Sequence, residues 1–273
     1  MGEISKKEKL LKQLEAFGHM RCPVCKAGLA VQAESLVCKS SHTFDINKKG
    51  FVNLALKQSD TYYDEALFAA RANVFQKGYY APVLEAIREK LENAECVLDA
   101  GCGEGYYLKK LNLPIGVGVD LSREAIMRAA RENAGPIWCV ADLANLPFED
   151  SAFDAVLDIL SPANYSAFAR VLKRGGRLIK ISPGKEYLVE IRRAMGLNDY
   201  DDSRVTEHMR EAMGVFETRS ITRVYDIADE DWQDFVAMTP LTKRLPEAQK
   251  EAIMVKNPGR ITVDLILSMT QVP

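Results

Sequence analysis

The stretch that decides the fold reads VLDAGCGEG and occupies residues 97–105. An apolar run ends there in an acidic residue and continues into three glycines that are separated by single residues. Short apolar runs bounded by glycines predict a buried β-strand, and the YYLKKL that follows predicts a helix from Tyr106. Because glycine lacks a side chain, the backbone between strand and helix can lie close to a ligand.

Strands and helices alternate on the C-terminal side of this stretch. Such alternation predicts an α/β fold, in which helices cover both faces of a parallel sheet. Two later β-rich segments, 218–226 and 260–269, complete a predicted sheet of seven strands. The first five strands are predicted from apolar runs at 96–100, 116–120, 137–140, 153–160 and 177–182.

The glycine spacing indicates the kind of ligand. In a dinucleotide-binding loop the third glycine would fall at position 106, which is Tyr106 in this chain. The observed Asp-x-Gly-x-Gly-x-Gly pattern is instead typical of loops that bind S-adenosylmethionine (SAM), which has an amino acid tail and no phosphate. Asp99 would then face the positive end of that tail. The alternative is an acid that only caps the end of the strand.

Further contacts with SAM are expected where the next strands end. Asp120 is placed to accept hydrogen bonds from both ribose hydroxyls. Asp142 and Leu143 are placed beside the adenine, although Asp142 can also be a solvated loop residue. The complete predicted cofactor site is Asp99, Gly101, Gly103, Gly105, Tyr106, Asp120, Leu121, Asp142 and Leu143.

The fourth strand is followed by residues that we expect near the transferred methyl group. Asp158, Ser161 and Pro162 occupy this position. Asp158 is the candidate catalytic residue, and its alternative role is that of a buried acid at a strand end.

A second motif lies near the N-terminus, where Cys22-x2-Cys25-x12-Cys38-x3-His42 supplies three thiolates and one imidazole. This set fills the tetrahedral shell of Zn²⁺ and leaves no position for water, so it predicts a structural metal. The alternative is that His42 is unrelated and another group completes the site. His19 is a weaker candidate for the fourth ligand. Zinc would hold residues 21–58 folded, because metal binding supplies the folding free energy of such small units.

Composition is that of a globular protein: 273 residues, 47% hydrophobic, with a net charge of −2. Neither a membrane-spanning run nor the apolar core of a signal peptide is present, so we expect a cytoplasmic protein. Residues 1–58 carry ten Lys and Arg against five Asp and Glu, while the remainder carries 26 against 33. The resulting +5 and −7 suggest that the N-terminal part meets phosphate, the alternative being a solvated lysine-rich arm.

Four segments are predicted along the chain. They are a helical extension (1–20), a zinc-binding module (21–58), a helical connector (59–94) and a SAM-dependent methyltransferase domain (95–273). The other three cysteines, Cys96, Cys102 and Cys139, are expected to be packing residues.

The combination of motifs resembles a known family. The matching residues run from about Arg21 to Pro240 and include the zinc ligands, Phe44-Asp45, Gly50–Leu54, Arg71, Phe75, Gly78, Tyr79, Asp99–Tyr107, Pro183-Gly184 and Leu188. They resemble the RlmA family of bacterial 23S rRNA (guanine-N1)-methyltransferases, which includes tylosin-resistance methyltransferases. The joining of the zinc module to the glycine loop carries the specificity of the match. Residues 1–20 are an addition relative to shorter members.

This resemblance implies a class I, Rossmann-like methyltransferase that acts as a homodimer. Its substrate would be guanine N1 in a 23S rRNA hairpin lining the peptide exit tunnel, with the zinc module helping to bind RNA. His208 is a second candidate base for the N1 proton. Tyr62, Tyr63, Tyr79 and Tyr80 are candidates to stack on an extruded base, or else to pack between domains.

Two other classes of function remain open from the sequence. One is a SAM-dependent methyltransferase that acts on a small molecule or on another RNA, with the zinc module as a lid. The other is a non-catalytic RNA-binding protein that retains a SAM pocket, a reading disfavoured by the presence of Asp99 and Asp120.

Overall fold

A computed structural model of the chain describes residues 4–57, 65–132, 135–198, 200–201 and 203–272. The helices in these ranges are α1 (Lys6–Phe17), α2 (Glu65–Gln76), α3 (Ala81–Lys90), α4 (Tyr106–Leu111), α5 (Arg123–Glu132), α6 (Tyr165–Val171), α7 (Val189–Ala194), α8 (Ser203–Met213), α9 (Asp229–Met238) and α10 (Glu247–Met254). The strands are β1 (Leu29–Gln32), β2 (Ser35–Cys38), β3 (Thr43–Asn47), β4 (Phe51–Asn53), β5 (Cys96–Ala100), β6 (Ile115–Asp120), β7 (Ile137–Val140), β8 (Phe153–Ile159), β9 (Leu172–Pro183), β10 (Glu217–Asp226) and β11 (Arg260–Gln271).

The C-terminal part contains the predicted seven-stranded sheet, in the order β7-β6-β5-β8-β9-β11-β10. Strands β5 to β9 pair in parallel, and β11 is antiparallel to both of its neighbours. Apolar side chains from the sheet enter cores on both of its faces. The predicted class I methyltransferase fold is therefore confirmed.

Four N-terminal strands extend this sheet, which the sequence did not predict. Strands β1 to β4 form an antiparallel meander, and β4 then pairs in parallel with β7 through Val52–Cys139 and Asn53–Val140. Eleven strands thus form one continuous sheet in the described part of the chain. The zinc-binding segment is attached to the methyltransferase sheet by backbone hydrogen bonds as well as by the connector.

Helix α1 joins the zinc-binding segment and the large domain. It begins with a capping box between Ser5 and Glu8 and ends at Gly18, which is left-handed. Its buried face packs in the same core cluster as Phe148 and Phe153 of the large domain. One hydrophobic core is therefore shared by the segments predicted as 1–20, 21–58 and 95–273. Neither of the two N-terminal segments is large enough to bury its own apolar face alone.

Helix α2 supplies residues to the edge of the sheet where the parallel strands end, beside the glycine loop, and it packs on α9. Helices α7 and α8 were not predicted. Within the described ranges, no helix combines the length and the apolar character that crossing a membrane requires.

Candidate active site and zinc centre

The predicted zinc ligands converge. The ligand atoms of Cys22, Cys25, Cys38 and His42 all lie within 4.8 Å of one another. The Sγ atoms of Cys25 and Cys38 are 3.5 Å apart, and His42 Nδ1 lies 3.4 Å from Cys38 Sγ. A tetrahedron with Zn–S near 2.3 Å and Zn–N near 2.0 Å has edges of about 3.5–3.8 Å, so this set fits Zn²⁺ through Nδ1 of the histidine.

Two tight turns bring the ligands together. The N–H of Lys26 donates to the carbonyl of Cys22 (3.0 Å), and that of Ser41 donates to the carbonyl of Cys38 (2.9 Å). Both turns place a non-glycine residue at positive φ, 65° at Lys26 and 61° at Ser41. His19 lies apart from the cluster, with Nδ1 3.3 Å from a carboxylate oxygen of Glu149 and its side chain 48% exposed. A closed set of four protein ligands is the arrangement of a structural zinc.

A cavity of about 700 Å³ opens where the parallel strands end. Six of the nine predicted cofactor residues line it: Gly101, Gly103, Asp120, Leu121, Asp142 and Leu143. The remaining wall comes from α2, α8, Ala125 of α5, Ala144 and the segment 159–166, which begins at the last residue of β8. In open α/β sheets this edge is where ligands bind.

The glycine loop and Asp120 are held together by backbone contacts. Gly101 has a φ of 85°, and a Cβ there would lie 2.6 Å from the side chain of Ser161. The N–H of Gly103 donates to Oδ2 of Asp120 (2.9 Å), and the N–H of Ser122 donates to Oδ1 (2.8 Å). A carboxylate has about four acceptor sites, so Asp120 retains capacity for two ribose hydroxyls.

Asp99 is the strongest indication of a cationic ligand. Its side chain is 1% exposed, and neither carboxylate oxygen has a hydrogen-bond partner among the described residues. Burial, together with the nearby carboxylates of Asp120 and Asp158, raises the pKa of Asp99 to about 8. A buried carboxylate without a partner is costly unless a cation meets it. The α-ammonium group of SAM fits that requirement.

Three of the nine predicted cofactor residues, Asp99, Gly105 and Tyr106, do not line the 700 Å³ cavity, in contrast to our prediction. Gly105 has a φ of 73°, and a Cβ at this position would overlap the ring of Trp138, so glycine is needed for packing. The Tyr106 ring stacks on Phe75 of α2 at a centroid distance of 4.4 Å. It lines a separate cavity of about 390 Å³ on the other side of Arg71.

Asp158 is not part of the cavity wall either, and it forms a buried ion pair with Lys180. Its Oδ2 accepts a hydrogen bond from Lys180 Nζ, and its Oδ1 accepts one from Ser161 Oγ, both at 2.6 Å. Burial raises the pKa of Asp158, and the charge of Lys180 opposes that shift. Both carboxylate oxygens are therefore engaged, and the catalytic role of Asp158 stays a prediction. Asp158 fixes Ser161, which does line the cavity.

The buried Asp158–Lys180 pair can be tested by thermal or denaturant unfolding. We expect Lys180→Met to destabilise the protein by about 3–5 kcal/mol, because it leaves an unpaired buried carboxylate. The double variant Asp158→Asn/Lys180→Met should recover much of that loss. A stable Lys180→Met protein would show that Asp158 is not held as an ion.

Arg71 on α2 was noted in the sequence only as a matching residue and is part of the cavity wall. Its guanidinium lies 5.4 Å from the centroid of the Phe75 ring and close to Gly103. The side chain of Arg71 forms no hydrogen bond or ion pair within the described ranges. A charged residue in the otherwise apolar run ALFAARANVF was the available sequence signal.

The other sequence candidates are placed as follows. His208 is exposed at the cavity, with its ring 5.0 Å from that of Tyr165. Tyr79 and Tyr80 are buried, and the Tyr79 hydroxyl donates to Asp231 (2.7 Å). Tyr62 and Tyr63 lie outside the described residues.

Comparison with known proteins gives two family matches and several relatives. Residues 20–58 match the family model described as "RlmA, N-terminal", and residues 98–180 match a methyltransferase domain. YxjB of Bacillus subtilis (strain 168), named as a candidate 23S rRNA (guanine-N(1)-)-methyltransferase, is 32% identical over 275 residues, covering 93% of this chain and 98% of that one. The chain belongs to the RlmA family of rRNA methyltransferases.

One further relative and one solved structure are also similar to this RlmA-family enzyme. The 23S rRNA (guanine(748)-N(1))-methyltransferase of Streptomyces fradiae is 32% identical, covering 76% of this chain and 80% of that one. The solved structure of a SAM-dependent methyltransferase from Thermotoga maritima is 15% identical, with a TM-score of 0.49, and covers 76% of this chain and 96% of that one. The two family matches and the cluster of three cysteines and one histidine show that this RlmA-family enzyme is a SAM-dependent methyltransferase that carries a structural zinc site.

Proposed function

We propose that this enzyme transfers the methyl group of SAM to N1 of a guanine in a hairpin of 23S rRNA. The observation that carries the proposal is the unpartnered, buried carboxylate of Asp99 beside a large cavity, in a chain whose sheet is continuous with a zinc ribbon. The names of the Bacillus and Streptomyces relatives support guanine N1 as the target atom.

We assign the cofactor contacts to residues of the cavity and to Asp99 beneath it. Asp99 would hold the α-ammonium group, and Asp120 the ribose hydroxyls. The Oδ1 of Asp142 accepts from the N–H of Ala144 (2.8 Å), which leaves its second oxygen for the adenine amino group. Leu143 supplies an apolar surface for the adenine ring. When bound, SAM supplies an electrophilic methyl group on a sulfonium centre.

The chemistry requires the loss of one proton. Guanine N1 carries a hydrogen at neutral pH, so that hydrogen must leave in or before the step in which N1 bonds to the methyl carbon and the carbon–sulfur bond breaks. The bonding electrons pass to sulfur, and we assign the N1 proton to water at the cavity mouth. Alignment of N1 with the methyl group then supplies much of the rate.

The zinc ribbon is proposed to contact RNA phosphates. It carries most of the N-terminal excess of positive charge, and Lys39, Lys48 and Lys49 are exposed on it. Phosphate contacts release counterions, so RNA affinity should fall steeply with salt, unlike that of an uncharged small molecule. A homodimer acting in the cytoplasm is part of the same proposal.

The test is methyl transfer from radiolabelled SAM to large-subunit rRNA from cells that lack this enzyme, followed by nucleoside analysis. We expect label in 1-methylguanosine at one hairpin. Label at another atom or base would overturn the assignment to guanine N1. Label only in added small molecules would favour a small-molecule methyltransferase whose zinc ribbon serves as a lid.

A further inference from the structure

We propose that a third cavity, of about 250 Å³, receives the guanine base once it has left its stem. This inference rests on the proposed function and locates its substrate site. The cavity lies between α2, the segment that follows β9 and the segment 238–241 at the end of α9. Its volume suits one base and not a stack of bases. Enzymes that act on a base within a duplex place it in a pocket of this kind.

The 250 Å³ cavity lies next to the cavity assigned to SAM. It shares two wall residues, Arg71 and Leu160, with the 700 Å³ cavity assigned to SAM. The two cavities therefore adjoin, and a base in the smaller one would lie next to the cofactor, beside these two side chains. Leu160 has a φ of 52°, which is a strained conformation for a bulky residue, and its N–H is held by the carbonyl of Ile181 (2.9 Å). Such strain concentrates at ligand-binding positions.

Two tyrosine hydroxyl groups provide the cavity with a hydrogen-bond donor. The hydroxyls of Tyr80 and Tyr187 lie 2.7 Å apart, and both residues line the cavity. Tyr80 is 1% exposed. We assign the O–H of the buried Tyr80 as the donor to Tyr187, which is the less buried of the two, so the O–H of Tyr187 is left to donate to a ligand. Buried donors of this kind ordinarily have a partner, and O6 of guanine is an acceptor next to N1.

The charge that forms on guanine during the reaction suits the groups of this cavity. Loss of the N1 proton places negative charge on N1 and O6 together. An O–H donor to O6 and the positive charge of Arg71 would both stabilise that charge, in the same way as the donors of an oxyanion hole. The remaining wall is largely apolar or aromatic, including Phe75, Pro183 and Met238, and suits the faces of a purine ring.

A crosslinking experiment tests the location directly. The probe is the 23S rRNA hairpin with 6-thioguanosine at the methylated position, irradiated in complex with the whole enzyme and S-adenosylhomocysteine. We expect crosslinked tryptic peptides that span residues 78–88 or 186–192, which contain Tyr80 and Tyr187. Crosslinks confined to the zinc ribbon would overturn the proposal.

A kinetic experiment tests the role of the hydroxyl pair. We expect Tyr187→Phe to lower kcat by about 10²–10³-fold, as removal of one oxyanion-hole donor does. The rate of the variant should continue to rise at higher pH than that of the wild type, while its affinity for S-adenosylhomocysteine stays unchanged. The control is Tyr225→Phe, whose hydroxyl donates to the carbonyl of Tyr79 (3.1 Å) outside the cavity.

The outcomes separate the two proposals. If the wild type forms 1-methylguanosine and Tyr187→Phe behaves as Tyr225→Phe does, the guanine site is wrong and the proposed function stands. If the wild type forms no 1-methylguanosine, the proposed function fails and the guanine assignment of the cavity fails with it.

Discussion

Asp99→Ala should weaken SAM binding by on the order of 10²–10³-fold, because it leaves the ammonium group of the ligand buried without a counter-charge. Titration calorimetry with SAM measures this effect. The control is Asp154→Ala, which removes an acid from the opposite end of the sheet, where Asp154 pairs with Lys173 (2.7 Å). Both variants should keep their zinc. Full SAM affinity in Asp99→Ala would mean that the cofactor lies elsewhere.

The raised pKa of Asp99 gives this prediction a pH signature. With a pKa of about 8, the carboxyl of the free protein is mostly protonated at pH 7, whereas pairing with an ammonium group requires it to be ionised. SAM binding at pH 7 should therefore release a proton, detected as a dependence of the binding enthalpy on buffer. The Asp99→Asn variant should show no such dependence.

The same shift predicts how the stability of the free protein changes with pH. The unfolded chain loses the Asp99 proton near its ordinary pKa of 3.8, whereas the folded protein keeps it to about 8. Between these values the folded state binds more protons, so this residue lowers stability as pH rises. Asp99→Asn should lack that loss in unfolding experiments carried out from pH 5 to 8.

Loss of a zinc ligand is expected to have the second large effect. His42→Asn, like Cys25→Ser, should lose the bound zinc, and residues 20–57 should become sensitive to protease. Structural zinc contributes about 10–16 kcal/mol of apparent binding free energy in small zinc-finger peptides, far more than the ribbon core can replace. The RNA affinity of the zinc-free variants should fall as well. Metal analysis and limited proteolysis measure the first two effects.

The matched control for this variant is His19→Asn, the same substitution at a half-exposed histidine outside the ligand cluster. It should keep both zinc and protease resistance.

Zinc loss should also weaken SAM binding, because β4 pairs with β7 and Phe51 of β4 packs in one cluster with Trp138, which supports the glycine loop. Unchanged SAM affinity in a zinc-free protein would show that the two sites are independent.

Local patterns in the sequence determined much of this protein. The strands of the large domain were predicted within a few residues of their bounds, apart from the start of β9, because a buried strand follows from a short apolar run in the sequence. The zinc ligands were identified by residue type and short spacing, which suffice when two turns bring the atoms together. The glycine loop predicted a SAM site because the strand, the acid and the glycines are adjacent in the chain.

The tertiary structure decided what depends on residues far apart in the sequence. Pairing of β4 with β7, which joins the ribbon to the main sheet, brings together segments more than 80 residues apart. Lys180 makes Asp158 one partner of a buried ion pair, and Trp138 makes Gly105 a packing residue. Periodicity records which face of an element is buried, but not which distant side chain it meets. The partner, supplied only by folding, sets the charge, accessibility and role of each of these residues.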